Sequence, residues 1–143
     1  MYWFRGKDID TGKWVYGFYW NNGICNHFIK ITKQCGKYVI KNIEVDPKTV
    51  GQYVKLKDIK GEMIFEGDIL RAEHFNYYDP DFGDEPEYKP WIGVVAYRNG
   101  DYFINTNHSY NPTVSNTTII SIRVLGNVYD NPELLEVADA TKG

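Results

Sequence analysis

The sequence predicts a mainly β fold. Aromatic residues make up 16% of the 143, with 12 Tyr, 7 Phe and 4 Trp, and such side chains suit the pleated, half-buried surface of a strand. The stretch KWVYGFYW, residues 13–20, sets Trp14, Tyr16, Phe18 and Trp20 against Val15, Gly17 and Tyr19. That alternation has period two and marks a strand. IGVVAY and DYFI flank RNGD, and the central Asn99-Gly100 is a strong signal for a two-residue type I′ hairpin turn.

The first 45 residues read as strands joined by turns. In DIDTG, 8–12, Asp10 and Thr11 suit bonds to nearby amides and Gly12 suits a positive φ. Strand 13–20 comes next, largely apolar on both faces, which predicts cover on two sides or a contact surface. NNG, 21–23, is a second turn and HFIKI, 27–31, the returning strand. Residues 41–57 read as a connector, because Pro47 interrupts a ladder and Asp46 before it favours extended or turn backbone.

Residues 58–61 predict a turn with Gly61 at positive φ. EMIF and ILRAE are short strands, and Glu66-Gly67-Asp68 bends sharply between them. Gly67 takes a conformation that a Cβ forbids, and Asp68 accepts a backbone hydrogen bond. Residues 76–90, with three prolines and five acidic residues, form a long exposed loop. The hairpin at 99–100 pairs Arg98 with Asp101, Tyr97 with Tyr102, Ala96 with Phe103 and Val95 with Ile104. TIISIRVLGNVY, 118–129, is a further strand. Asn131 as N-cap, Pro132 at the first helical position and Glu133 near the positive end predict a helical turn.

Net charge is −3 and the sequence pI about 5.6. A protein that tracks nucleic acid carries a basic field, and none is present over the chain as a whole. Two cysteines, Cys25 and Cys35, are too few for a disulfide framework. The start lacks a basic and then apolar leader, and no apolar run is long enough to span a membrane. A reducing cytoplasm with free thiols is the expectation.

The candidate chemistry is thin. Asp79, Asp81, Asp84, Glu85 and Glu87 do not follow the alternating oxygen spacing of a calcium loop. Cys25, His27 and Cys35 supply three ligands where structural zinc takes four, although the expected strand sets Cys25 and His27 on the same face, which permits chelation. His27, His74 and His108 sit in no nucleophile motif, and His108-Ser109 falls in a polar loop. Glu66 and Asp68 form an acid/base pair only if both face one site; flanking Gly67, they read as a corner. The expectation is therefore no catalytic residue, no metal and no cofactor.

Four motifs in order carry a family resemblance: FRGKDIDTGKWVYGFYW (4–20), VDPKTVGQYVKLKDIKGEMIFEGDIL (45–70), IGVVAYRNGDYFI (92–104) and VLGNVYDNPELLE (124–136). Together they resemble the YopX-like proteins of phages and prophages of Firmicutes, with 76–90 as an insertion. The resemblance implies an SH3-like small β-barrel core with an added N-terminal β segment, and it transfers no catalytic residue. Gly51, Gly61, Glu66, Gly67, Asp68, Gly126, Asn127, Asn131 and Pro132 match and read as turns and caps, as do Asn99 and Gly100.

The expected organisation is an N-terminal β lobe (1–45), a core (46–136) that ends in a helical turn, and a tail (137–143). The expected function is that of a non-enzymatic accessory protein in the host cytoplasm. It acts by contact with a host or phage protein and as a homo-oligomer, through Trp14, Tyr16, Phe18, Tyr19 and Trp20. The alternative is a weak single-stranded nucleic-acid binder using the same aromatic, lysine-bearing lobe.

Overall fold

The structure, a computed structural model, describes residues 3–34, 36–75, 81, 89–107 and 111–135. It is mainly β, with antiparallel sheets. The strands are β1 (Phe4–Asp8), β2 (Trp14–Asn21), β3 (His27–Gln34), β4 (Lys37–Lys57), β5 (Met63–Phe65), β6 (Asp68–His74), β7 (Trp91–Arg98), β8 (Asp101–Asn105) and β9 (Ile119–Asn127). A helical turn at 133–135 comes after them. The chain divides into two compact units, residues 1–55 and 56–143. No helix among the described residues is long and apolar enough to cross a membrane.

In the first unit β1 pairs with β2, β2 with β3 and β3 with β4, and β4 pairs again with β1. Val45 is the point of exchange, opposite His27 on one side and Asp8 on the other. The interior gathers Ile29 and Val45, both almost fully buried. Thr11 caps the first turn by accepting from Lys13 N, but Asp8 rather than Asp10 supplies the other side-chain acceptor, bonding Asp10 N. Asp8 ends β1 and so already points along the turn.

The 41–57 connector is a strand, part of β4. Pro47 does break the ladder, but only locally. Lys7 lies opposite Asp46 and Arg5 opposite Gly51, so residues 47–50 bulge out opposite Gly6. Inside the bulge Asp46 Oδ1 accepts from Lys48 N, Thr49 Oγ1 donates to Asp46 O, and Lys7 N donates to Thr49 Oγ1. These bonds replace the missing rungs, and Pro47, which lacks an N–H, sits where none is required.

In the second unit the sheet order is β8-β7-β6-β9. The hairpin register sets Arg98 opposite Asp101 and Val95 opposite Ile104, with Asn99 and Gly100 both at positive φ (54° and 85°). Ile64, Phe65, Ile69, Leu70, Ala72, Val95, Ile104 and Val114 form the core. Bulges between β6 and β9 at Ile69/Leu70 and Glu73/His74 shift the alternation, which leaves Ile120 outward and 69% exposed. His74 is buried, stacks on Trp91 at 3.8 Å and donates from Nε2 to Lys89 O at 2.8 Å. It thereby ties the two ends of the 76–88 segment, which itself lies outside the described residues apart from Asp81.

Gly67 holds φ +87°, and a Cβ there would meet the Tyr129 ring at 3.0 Å. Gly12 holds φ +70° in open space. Gly67→Ala therefore loses about 1–3 kcal/mol in chemical denaturation, against about 1 kcal/mol for Gly12→Ala. Equal losses would mean that Tyr129 does not crowd the corner.

Candidate functional site

Residues directly opposite in an antiparallel pair share a face. Arg5 lies opposite Tyr16, Lys7 opposite Trp14, Lys30 opposite Phe18 and Phe28 opposite Trp20. One face of β1–β3 thus carries Trp14, Tyr16, Phe18, Trp20 and Phe28 together with Arg5, Lys7 and Lys30. It looks outward along β2, where Tyr16 is 47% exposed and Phe18 and Trp20 are each 41% exposed, but Arg5 is buried at 6% exposed and Lys7 and Lys30 are half-buried. Tyr19 parts from the other four. It lies opposite buried Ile29 on the inner side, packs on Phe4 at 5.5 Å, and its hydroxyl bonds His27 Nδ1.

The outward rings are held by one another. Trp20 stacks on Phe28 at 4.4 Å, and its Nε1–H donates to Asn42 Oδ1 at 3.0 Å. Phe18 stacks on Trp3 at 5.9 Å. The Arg5 guanidinium lies 4.5 Å and the Lys7 ammonium 5.4 Å from the Trp14 ring centre, within cation–π range. Packed in this way, the rings lose little side-chain entropy on contact and present a stiff, amphipathic patch.

The acidic corner is spent on backbone. Asp68 is 2% exposed, and Oδ2 accepts from Phe65 N at 2.8 Å. Gly67 N donates to Val95 O, and Val128 N donates to Gly67 O. The Glu66 carboxylate acts on Tyr102 instead: burial pushes that hydroxyl above its ordinary 10.0, and the charges of Glu66 and Tyr97 add to the rise. Asn131 starts the helical turn, but its Oδ1 reaches back to accept from Asn127 N. Pro132 is next, with Leu135 N donating to Pro132 O. Asn127 holds the tighter turn, with Oδ1 accepting from Tyr129 N and Asp130 N.

Asp58 is the acid whose reach the sequence hides. It is 7% exposed; Oδ1 accepts from Lys60 N and Glu62 N, each at 2.9 Å, and Oδ2 accepts from Val124 N at 3.0 Å. Gly61, at φ +84°, closes the turn. Beside this turn runs a groove of about 420 Å³, lined by Leu56, Ile59, Ile119, Ile120 and Ile122 among others.

Among the described residues no three His, Cys, Asp or Glu side chains gather as a metal site would require. Cys25 does not sit on a strand with His27. It lies exposed in the turn before β3, where Asn22 Oδ1 accepts from Ile24 N and Asn26 N. Three asparagines in a row of six residues favour such side-chain-to-backbone turns over a ladder. Cys35, His108 and Ser109 lie outside the described residues, as do Asp79, Asp84, Glu85 and Glu87.

The family described as YopX protein matches residues 3–136. The chain belongs to the YopX family. The crystal structure of protein EF1440 from Enterococcus faecalis is similar to this YopX chain over 94% of its length and 98% of the other, with a TM-score of 0.54 and 21% identity. At that identity the likeness concerns the fold. No curated protein matches the chain.

Burial alone would raise the Asp58 carboxyl. The amides of Val124, Glu62 and Lys60 and the Lys60 charge outweigh it, so the net shift is downward from 3.8. A depressed carboxyl stabilises the fold above its unfolded value, and that contribution is lost as pH falls through the folded value. Wild type should lose this stability below about pH 4. Asp58→Asn, with one acceptor oxygen for three amides, should lose about 1–3 kcal/mol at neutral pH and show a shallower acid limb. Parallel urea titrations at several pH values check both, and superimposable acid limbs would refute the assignment.

Proposed function

We propose that this YopX-family protein is a non-enzymatic phage or prophage accessory protein that works by protein–protein contact. The observation that carries the reading is the outward face of β2, where Tyr16, Phe18 and Trp20 stand 41–47% exposed on rings already braced by Trp3 and Phe28. Rigid, amphipathic aromatics are enriched in protein interfaces. The phage setting comes from the family resemblance. A cytoplasmic location in the host is supported by the exposed free thiol of Cys25, a state suited to a reducing compartment.

Single-stranded nucleic acid is the second reading, favoured by the half-buried Lys7 and Lys30 beside the rings. Base stacking needs open ring faces, whereas Trp14, Phe18 and Trp20 each spend one on a neighbour, so the protein reading leads. The resemblance also leads us to read the second unit as an SH3-like small barrel. Its support is β6, paired on both sides and bent by two bulges.

The test is a pull-down from phage-infected host cells with wild type and with a Tyr16→Ser, Phe18→Ser, Trp20→Ser triple variant of wild-type fold. Wild type should retain a protein that the variant loses. Retention of the same proteins by both would sink the reading.

A further inference from the structure

The hairpin of β3 and β4 holds an element that the protein-contact reading does not use. β2 follows β3 only as far as the Phe18–Lys30 rung. From Ile31 on, β3 is laddered to β4: Ile31 lies opposite Lys41, Lys33 opposite Tyr38 and Gln34 opposite Lys37, with Gly36 at φ +77° in the turn. These two strands form a ribbon that is open to water. Lys37, Lys41 and Asn42 are exposed, as are Tyr38 (86%) and Ile40 (76%). Consecutive strand residues point to opposite faces. The joint exposure of Lys37 with Tyr38, and of Lys41 with Asn42, therefore leaves neither face covered.

Charge on this ribbon has one sign. Lys30, Lys33, Lys37 and Lys41 fall within 12 residues, and no Asp or Glu occurs between Asp10 and Glu44. Glu44 lies three rungs back from Lys41, opposite Phe28, and its Oε1 accepts from Asn26 Nδ2 at 3.0 Å. Lys41 shares a face with Ile31, and Lys30 shares the opposite face with Asn42, so cations stand on both sides. A lipid surface presents one plane of charge and takes an apolar face, which a ribbon with cations on both sides lacks. Strands about 4.8 Å apart, with side chains on both faces, suit the major groove of B-DNA, about 12 Å wide, and are too broad for the minor groove at about 6 Å. The major groove of duplex RNA is deep and narrow. We infer that the β3–β4 ribbon is a second binding surface, for the major groove of double-stranded DNA, held by its lysines on backbone phosphates. Phosphate contacts carry no sequence information, so the binding is sequence-independent.

Fluorescence anisotropy of the full chain with a labelled DNA duplex tests this. Three or four phosphate contacts give a logarithmic salt slope of about −2.7 to −3.6, so affinity should fall about 40- to 150-fold between about 50 and 200 mM NaCl. Lys37→Gln, Lys41→Gln, checked for wild-type fold by circular dichroism, should make the slope shallower by about 1.8. Lys37→Arg, Lys41→Arg keeps the charge and should keep the slope. The Tyr16→Ser, Phe18→Ser, Trp20→Ser variant should bind the duplex as wild type does, so this inference and the protein-contact reading stand or fall separately. No binding at about 50 mM salt overturns the inference and leaves the lysines as guards of an open strand edge. So does a slope that Lys37→Gln, Lys41→Gln does not move. Equal affinity for an RNA duplex or for phosphatidylserine vesicles, or a preference for single strands that the triple variant abolishes, overturns it too.

Discussion

The first unit depends on a backbone ladder that returns to its first strand. Val45 pairs with Asp8 on one side and His27 on the other, and that double pairing encloses a small interior. Its size is set by close backbone approach. A Cβ on Gly6 would lie 3.1 Å from Val45, and one on Gly17 would lie 2.2 Å from Lys30 O. Little beyond Val15, Gly17 and Tyr19 of β2 fits inward, so Trp14, Tyr16, Phe18 and Trp20 go outward. The exposed aromatic face is thus a consequence of closing four strands around so little space, and its rings stack on one another because water is the alternative.

The second unit solves a different problem, how to turn the chain sharply between short strands. Its corners are built by side chains that stand in for missing backbone partners: Asp58 for three amides, Asp68 for Phe65 N, Asn127 for two more. A carboxylate committed to amide donors is worth more as a fastener than a neutral acceptor. The Asp58 bond to Val124 joins the turn after β4 to β9 across 66 residues, so this one acid ties together segments far apart in sequence, while Asp68 and Asn127 fasten their own corners.

What was legible in the sequence was local. The Asn99-Gly100 hairpin and its register are set by turn chemistry that needs only neighbouring residues, and the alternation of 13–20 identifies a strand wherever it ends up. Which face of that strand is buried was not legible, because both faces are apolar and ladder closure decides. The same limit hid the separation of Tyr19 from Trp14, Tyr16, Phe18 and Trp20. Pro47 pointed to a connector, since the Thr49 bond that helps carry the strand past it is to Lys7 of β1, some forty residues earlier. The two bulges of β6 and β9 put Ile120 in solvent for a similar reason: a bulge belongs to a strand pair, and one strand alone does not announce it. Asn131 looked like a cap for the helical turn after it and instead reaches back to Asn127, a choice made by the preceding turn.

Charge and shape meet at the aromatic face. A surface with bare rings alone would bind without direction and would resist salt. A surface with cations alone would bind any polyanion. Here the cations lie on rings, Arg5 and Lys7 over Trp14, so each side chain serves packing and charge together. The Arg5 guanidinium is buried there, whereas the Lys7 ammonium is half-buried on the ring, and a partly desolvated charge interacts more strongly than one in water. The fifteen acidic residues of the second unit, against its seven lysines and arginines, make the net charge of the whole chain negative. Charges farther apart than about 8–10 Å are largely screened in physiological salt, so what Lys7 and Lys30 add to the aromatic face is felt at contact distance, whatever the net charge of the chain.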